Sequence, residues 1–148
     1  MINNAASDHP SIYFFAYGML SDPKVMPAGS MVGKVKLSGF RIEFPRFANI
    51  VADSRSCVWG VLWKINRVTL ATLDYYENVP DMYSRISVSI PLYEKEVTAQ
   101  AYTMTQKSRI KFADDFPSDS YIKNLEAGYR SAGINMNQLR LLRKLNIE

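Results

Sequence analysis

"SCVWGVLWKINRVTLATLDYYENVPDMYSRISVSI" (56–90) holds a strand, a helix and a second strand, and the way these three join decides the fold. Residues 56–65 are rich in branched and aromatic side chains, which suit a pleated surface. Gly60 inside that run predicts a bulge or a close backbone approach. Asn66 is an N-cap type, and residues 69–77 follow as a short amphipathic helix. Leu70, Leu73 and Glu77 fall at i, i+3 and i+7, on one helix face. Residues 83–90 then alternate as a strand, with Arg85 facing away from Ile86, Val88 and Ile90. One element stands out. Glu77 puts a carboxylate on the apolar stripe and in the last turn, where the negative end of the helix dipole disfavours an anion.

Working outward, "SIYFFAY" (11–17) reads as a buried strand that stops at Gly18. Residues 21–26, "SDPKVM", predict a helical turn with Ser21 or Asp22 as cap and Pro23 at its first position. "MVGKVKL" (31–37) and "FRIEF" (40–44) alternate as two strands around Ser38-Gly39. "VTAQAYTM" (97–104) is another strand after a polar turn. Residues 116–134 form a helix capped by Ser118 and ended by Gly133. Residues 135–145 form a second, with Asn135 and Gln138 as a capping box and Leu139, Leu142 and Leu145 facing inward. Strands come first, with one inserted helix, and helices come last. That order predicts an α+β fold with an antiparallel or mixed sheet, not a doubly wound one.

The chain has 148 residues, 47% of them hydrophobic, enough for one globular domain over 11–148. Residues 1–10 are expected to be a flexible tail, since they lack the apolar core of a secretory signal. No run approaches a membrane span, and the single Cys57 cannot form an internal disulfide, so a cytoplasmic setting is expected. Cys57 itself is expected to be a small core residue. The net charge is +4, with a basic excess after residue 105 that is interleaved with acids. It lacks the arginine–aromatic pattern of a nucleic-acid binder. An oligomer remains open.

One His and one Cys, far apart, cannot build a zinc site, and His9 in the tail is poorly placed to activate a nucleophile. Walker A and GxGxxG motifs are absent. Asp74 and Glu77, one helical turn apart, have the spacing of a retaining glycosidase pair, although no long aromatic groove accompanies them. Asp74 reads equally well as a helix-anchoring carboxylate.

Three blocks in order resemble the γ-glutamyl cyclotransferase-like (AIG2-like) family: "YFFAYGMLSDPKVM" (13–26), "VWGVLWKINRVTLATLDYYENVPDMYSRISVSI" (58–90) and "PSDSYIKNLEAGYRSAGI" (117–134). The resemblance implies a small, mixed, barrel-like sheet around a cavity, with flanking helices and two more at the C-terminus. It also implies an enzyme that releases 5-oxoproline from a small γ-glutamyl compound, glutathione among the possible substrates, by internal cyclisation. No metal, nucleotide or other cofactor is then needed. Glu77 matches the family's catalytic glutamate, which fits its odd position: burial and a helix end both raise a carboxylate's pKa towards that of a neutral-pH acid–base. The implied substrate-binding residues are Phe14, Tyr17, Gly18, Met19, Leu20, Tyr83 and Tyr121. Residues 17–20 are expected to offer backbone N–H groups. Met19 and Leu20 stand where the family has Ser and Asn, so two polar side chains are missing from that turn. The alternative is an inactive relative that binds a small anion or a protein.

Overall fold

A computed structural model describes residues 11–142. The expected tail with His9, and the end of the last helix with Leu145, lie outside the described residues. Five strands run β1 (Ile12–Ala16), β2 (Ser30–Glu43), β3 (Asn49–Ile65), β4 (Tyr83–Leu92) and β5 (Lys95–Met104). Helix α1 (Arg67–Tyr76) joins β3 to β4, and α2 (Gln106–Lys111) and α3 (Asp119–Ala132) follow β5. The strands form one sheet in the order β2-β3-β1-β5-β4. β1 is antiparallel to β3 and parallel to β5, while β2–β3 and β4–β5 are antiparallel hairpins. The sheet is therefore mixed, as expected. The edges β2 and β4 approach one another, but no ladder joins them, so the sheet curls without closing.

Alternation along β1 divides the core. Phe14 and Ala16 face a cluster that includes Leu70 and Leu73 of α1 and Ile122, Leu125 and Tyr129 of α3. Phe15 and Tyr17 face the opposite way, into a cluster built almost wholly from strand residues such as Leu37, Ile50, Val58, Leu62, Ile90 and Ala99. Gly60 is where β3 packs closest on β1. A Cβ there would lie 2.4 Å from the Ala16 carbonyl oxygen and 2.7 Å from the Phe15 ring. The glycine thus permits a close backbone approach, and the register shifts of the β2–β3 pair lie elsewhere, between Met31 and Gly33 and between Ser38 and Phe40, the second with residues 53–56 of β3 looped against Gly39.

The inserted helix matches its prediction. Asn66 Oδ1 accepts the Thr69 N–H at 2.8 Å, and Leu70 and Leu73 are buried. Ser118 caps α3 by accepting the Tyr121 N–H, and Gly133 ends it at φ 77°. Other expectations need correction. The two strands read around Gly39 are a single bulged strand. β3 begins seven residues before Ser56, at Asn49, and α2 was not foreseen. The helical turn expected at 21–26 starts earlier, as a 3-10 turn at Met19–Ser21, followed by a turn in which Asp22 Oδ1 accepts the Lys24 N–H. The last helix opens as a 3-10 turn at Met136–Leu139, and the Asn135 side chain accepts from the Asn137 N–H, while the Gln138 N–H goes to the Asn135 carbonyl. Gln138 reaches instead to the Trp59 backbone and the Tyr129 hydroxyl, so there is no capping box. Cys57 is exposed rather than in the core.

Candidate active site

Five chain-distant segments meet around one cavity of about 270 Å³. The end of β1 and its turn supply Phe14, Tyr17, Gly18, Met19 and Leu20; the loop before β3 supplies Phe47 and Ala48. The end of α1 and the start of β4 supply Tyr76, Glu77, Met82 and Tyr83, with Tyr102 from β5 and Tyr121 from α3 completing the wall. Every residue predicted for the site lines this cavity. Phe47, Ala48, Met82 and Tyr102 were missed, because only the fold brings them to it.

Glu77 is the residue immediately after α1. Its own N–H still closes the helix onto the Leu73 carbonyl at 2.9 Å, so its side chain stands at the negative end of the helix. It faces the cavity but is otherwise enclosed by protein. Desolvation raises its pKa from the ordinary 4.5 to about 7. Among the described lining residues there is no Lys or Arg to oppose that shift.

The tyrosines fix the wall with hydrogen bonds to backbone. Tyr17 Oη donates to the Tyr102 carbonyl at 2.7 Å, and Tyr129 Oη donates to the Tyr17 carbonyl at 2.6 Å. Tyr83 Oη donates to the Ala48 carbonyl at 2.9 Å, while the Ala48 N–H donates to Tyr121 Oη at 2.9 Å. Ala48 is thus held at both polar atoms, and Tyr121 keeps its own O–H for another acceptor. Tyr121 therefore serves as more than packing. Burial raises all four phenols, Tyr121 to about 12, so each remains protonated at neutral pH. Gly18 backs onto Ala48: a Cβ on it would lie 3.3 Å from Ala48 Cβ and 3.9 Å from Tyr121 Oη.

Asp74 is not part of a carboxylate pair facing the cavity. It accepts from Tyr102 Oη at 2.7 Å and lies 3.2 Å from Arg85 Nε, tying α1 to β4 and β5. That arrangement argues against the glycosidase pairing, since the two carboxylates of such a pair must flank one substrate and Asp74 does not line the cavity that Glu77 faces. Met19 and Leu20 border the cavity and also pack against the helix-side core. Among the described residues, no group of three or more His, Cys, Asp or Glu could hold a metal, and no helix is long and apolar enough to cross a membrane.

Comparison with known proteins agrees with this architecture. A family model described as γ-glutamyl cyclotransferase, AIG2-like, matches residues 14–123. The γ-glutamylcyclotransferase of Bos taurus is 29% identical over 159 residues, covering 95% of this chain and 80% of its own. That of Homo sapiens is 28% identical over 156 residues, covering 93% and 80%. A solved structure described as a γ-glutamyl cyclotransferase superposes with a TM-score of 0.73 at 25% identity, covering 90% of this chain and 87% of that one.

Proposed function

The chain belongs to the γ-glutamyl cyclotransferase, AIG2-like family, and from that premise we propose that it cyclises a γ-glutamyl compound to 5-oxoproline with Glu77 as the general acid–base. The observation that carries this reading is the Glu77 carboxyl at a cavity without cations, with burial raising its pKa to about 7. A group poised there can both take and return a proton near neutral pH.

The chemistry asks little else of the protein. Glu77 takes a proton from the substrate's α-ammonium. The freed amine attacks the γ-carbonyl carbon of the same molecule and closes a five-membered ring. The tetrahedral oxyanion collapses, the bond to the distal amine breaks, Glu77 returns its proton to the departing nitrogen, and the ring nitrogen's second proton passes to the released amine, which leaves as an ammonium. Holding nucleophile and carbonyl in one bent molecule supplies most of the proximity. The oxyanion needs donors, and two kinds are at hand. The 3-10 turn at Met19–Ser21 begins with N–H groups that have no acceptor within the turn, and the Tyr121 O–H is uncommitted. With no cation on the wall, the substrate's α-carboxylate relies on the same backbone N–H groups.

The test is a panel of γ-glutamyl amino acids, γ-glutamyl amines and glutathione, with 5-oxoproline measured for the wild type and for Glu77→Gln. Release from at least one compound, reduced about 10²- to 10⁴-fold in the variant, is expected. Full activity in Glu77→Gln, or no release from any compound, would overturn the proposal. The apolar Met19 and Leu20 at the turn favour a second reading, a binding module. It predicts that small γ-glutamyl compounds bind without releasing 5-oxoproline.

A further inference from the structure

The cavity has a buried floor and a half-open mouth, and the two differ in chemistry. Phe14, Phe15, Tyr17 and Tyr83 form the floor and are almost fully buried. Tyr76, 71% exposed, marks the mouth, with the half-buried Phe47 and Met82 beside it. These mouth side chains are all large, and none is charged. Among the described residues no Lys or Arg lines the cavity, and the cation beside Phe47 is Arg46. Its guanidinium lies 5.6 Å from the centre of the Phe47 ring and 3.6 Å from Asp115, which already answers its charge.

A γ-glutamyl compound bound with its α-amine and γ-carbonyl near Glu77 must direct its distal amine towards this mouth. We propose that the distal amine carries an apolar substituent and no carboxylate beside its nitrogen, the substituent resting on Phe47, Tyr76 and Met82. The proposal rests on the cyclotransferase reading and adds to it the class of leaving group. Two effects favour such a substrate. Each methylene buried on the apolar mouth is worth about fourfold in affinity. A carboxylate there would lose water without gaining a cation from the lining, and it would be repelled by the ionised form of Glu77.

Two compounds that differ only by that carboxylate test the point: γ-glutamyl-leucine and γ-glutamyl-3-methylbutylamine. With the wild-type protein, 5-oxoproline release should give a kcat/KM at least about tenfold higher for the amine compound. Calorimetric titration of both into Glu77→Gln ranks their binding without turnover, and the amine compound should bind tighter by a similar factor. Met82→Lys, checked by thermal melt, should narrow or reverse the preference, and Phe47→Lys serves if that variant does not fold. Equal or better turnover and binding of γ-glutamyl-leucine would overturn the leaving-group assignment while leaving the cyclotransferase reading in place. Release from neither compound nor from any other of the γ-glutamyl panel, with the amine still binding more tightly, would overturn the cyclotransferase reading and retain the apolar preference of the mouth.

Discussion

Glu77→Gln should make the protein more stable at alkaline pH, by an amount that depends on pH in a defined way. The carboxyl titrates near its ordinary 4.5 in the unfolded chain and at about 7 in the folded one. Below 4.5 both states hold the proton, and the glutamate carries no ionisation penalty. Between 4.5 and 7 the unfolded state has lost its proton while the folded state retains it, so stability falls as pH rises. Above 7 the folded state is ionised too, and the loss levels off. The gap between those values, at about 1.36 kcal/mol per pH unit, sets the plateau at about 3 kcal/mol. Glutamine is close in shape and does not titrate, so it lacks this penalty. In a domain of this size, about 3 kcal/mol corresponds to roughly 6–12 °C in Tm. The assay is thermal melting of both proteins in matched buffers from pH 4 to 9. Titration of every other group cancels in the difference. The difference should be constant below pH 4.5, open between 4.5 and 7, and be flat above. A difference that does not change with pH would mean that Glu77 is solvated, and the argument from burial would fail. No substrate is needed, so the result stands apart from any question of turnover.

Three further outcomes are expected. The acidic limb of kcat/KM should fall near pH 7, because the free enzyme must ionise Glu77 before it can accept a proton; a limb near pH 4 would point to a solvated carboxylate. Met19→Ser combined with Leu20→Asn should change the ranking of γ-glutamyl substrates more than the chemical step, mainly through KM, and since both side chains also pack on the core a melt should show a loss of a few kcal/mol. An unchanged ranking in a folded double variant would remove this turn from the binding site. Gly60→Ala should destabilise by about 3 kcal/mol or more in urea unfolding, because its Cβ would meet backbone oxygen at 2.4 Å; a loss below about 1 kcal/mol would mean that the β1–β3 contact yields easily.

The parts of the fold written in local chemistry were legible in the sequence. Asn66, Ser118 and Gly133 set helix ends through bonds to neighbours in the chain, and they do so in the structure. Glu77 was conspicuous for the opposite reason: it contradicts the helix dipole and the apolar stripe, and such a conflict marks a site. The missed elements depend on distant partners. The first part of β3, Asn49–Ala52, is cut off from the apolar run at Cys57 by the polar residues 53–56, yet it is held as a strand by Phe40–Glu43 of β2 alongside. Gln138 has the spacing of a capping residue, but the Trp59 backbone, far away in the chain, offers it both a donor and an acceptor. The same holds for the cavity. Ala48 and Tyr102 carry no chemical signature of their own and reach the wall only because Tyr83, Tyr121 and Tyr17 bind their backbone atoms.

Those backbone-directed tyrosines bear on a competition that any acyl-transferring pocket faces, between ring closure and hydrolysis. Tyr17, Tyr83 and Tyr102 each donate their proton to a protein oxygen. A solvent molecule entering the cavity therefore finds phenyl faces where it might have found hydroxyls. An internal water needs two to four polar partners to be held. Here Glu77, the Tyr121 proton and the N–H groups of the turn are the partners on offer, and a bound γ-glutamyl group would occupy all of them. Water is then left without a foothold next to the carbonyl, whereas the α-nitrogen is tethered to it by the substrate's own carbon chain. A wall rich in oxygen atoms thus behaves as a dry one, and under the proposed function it would favour lactam over free glutamate.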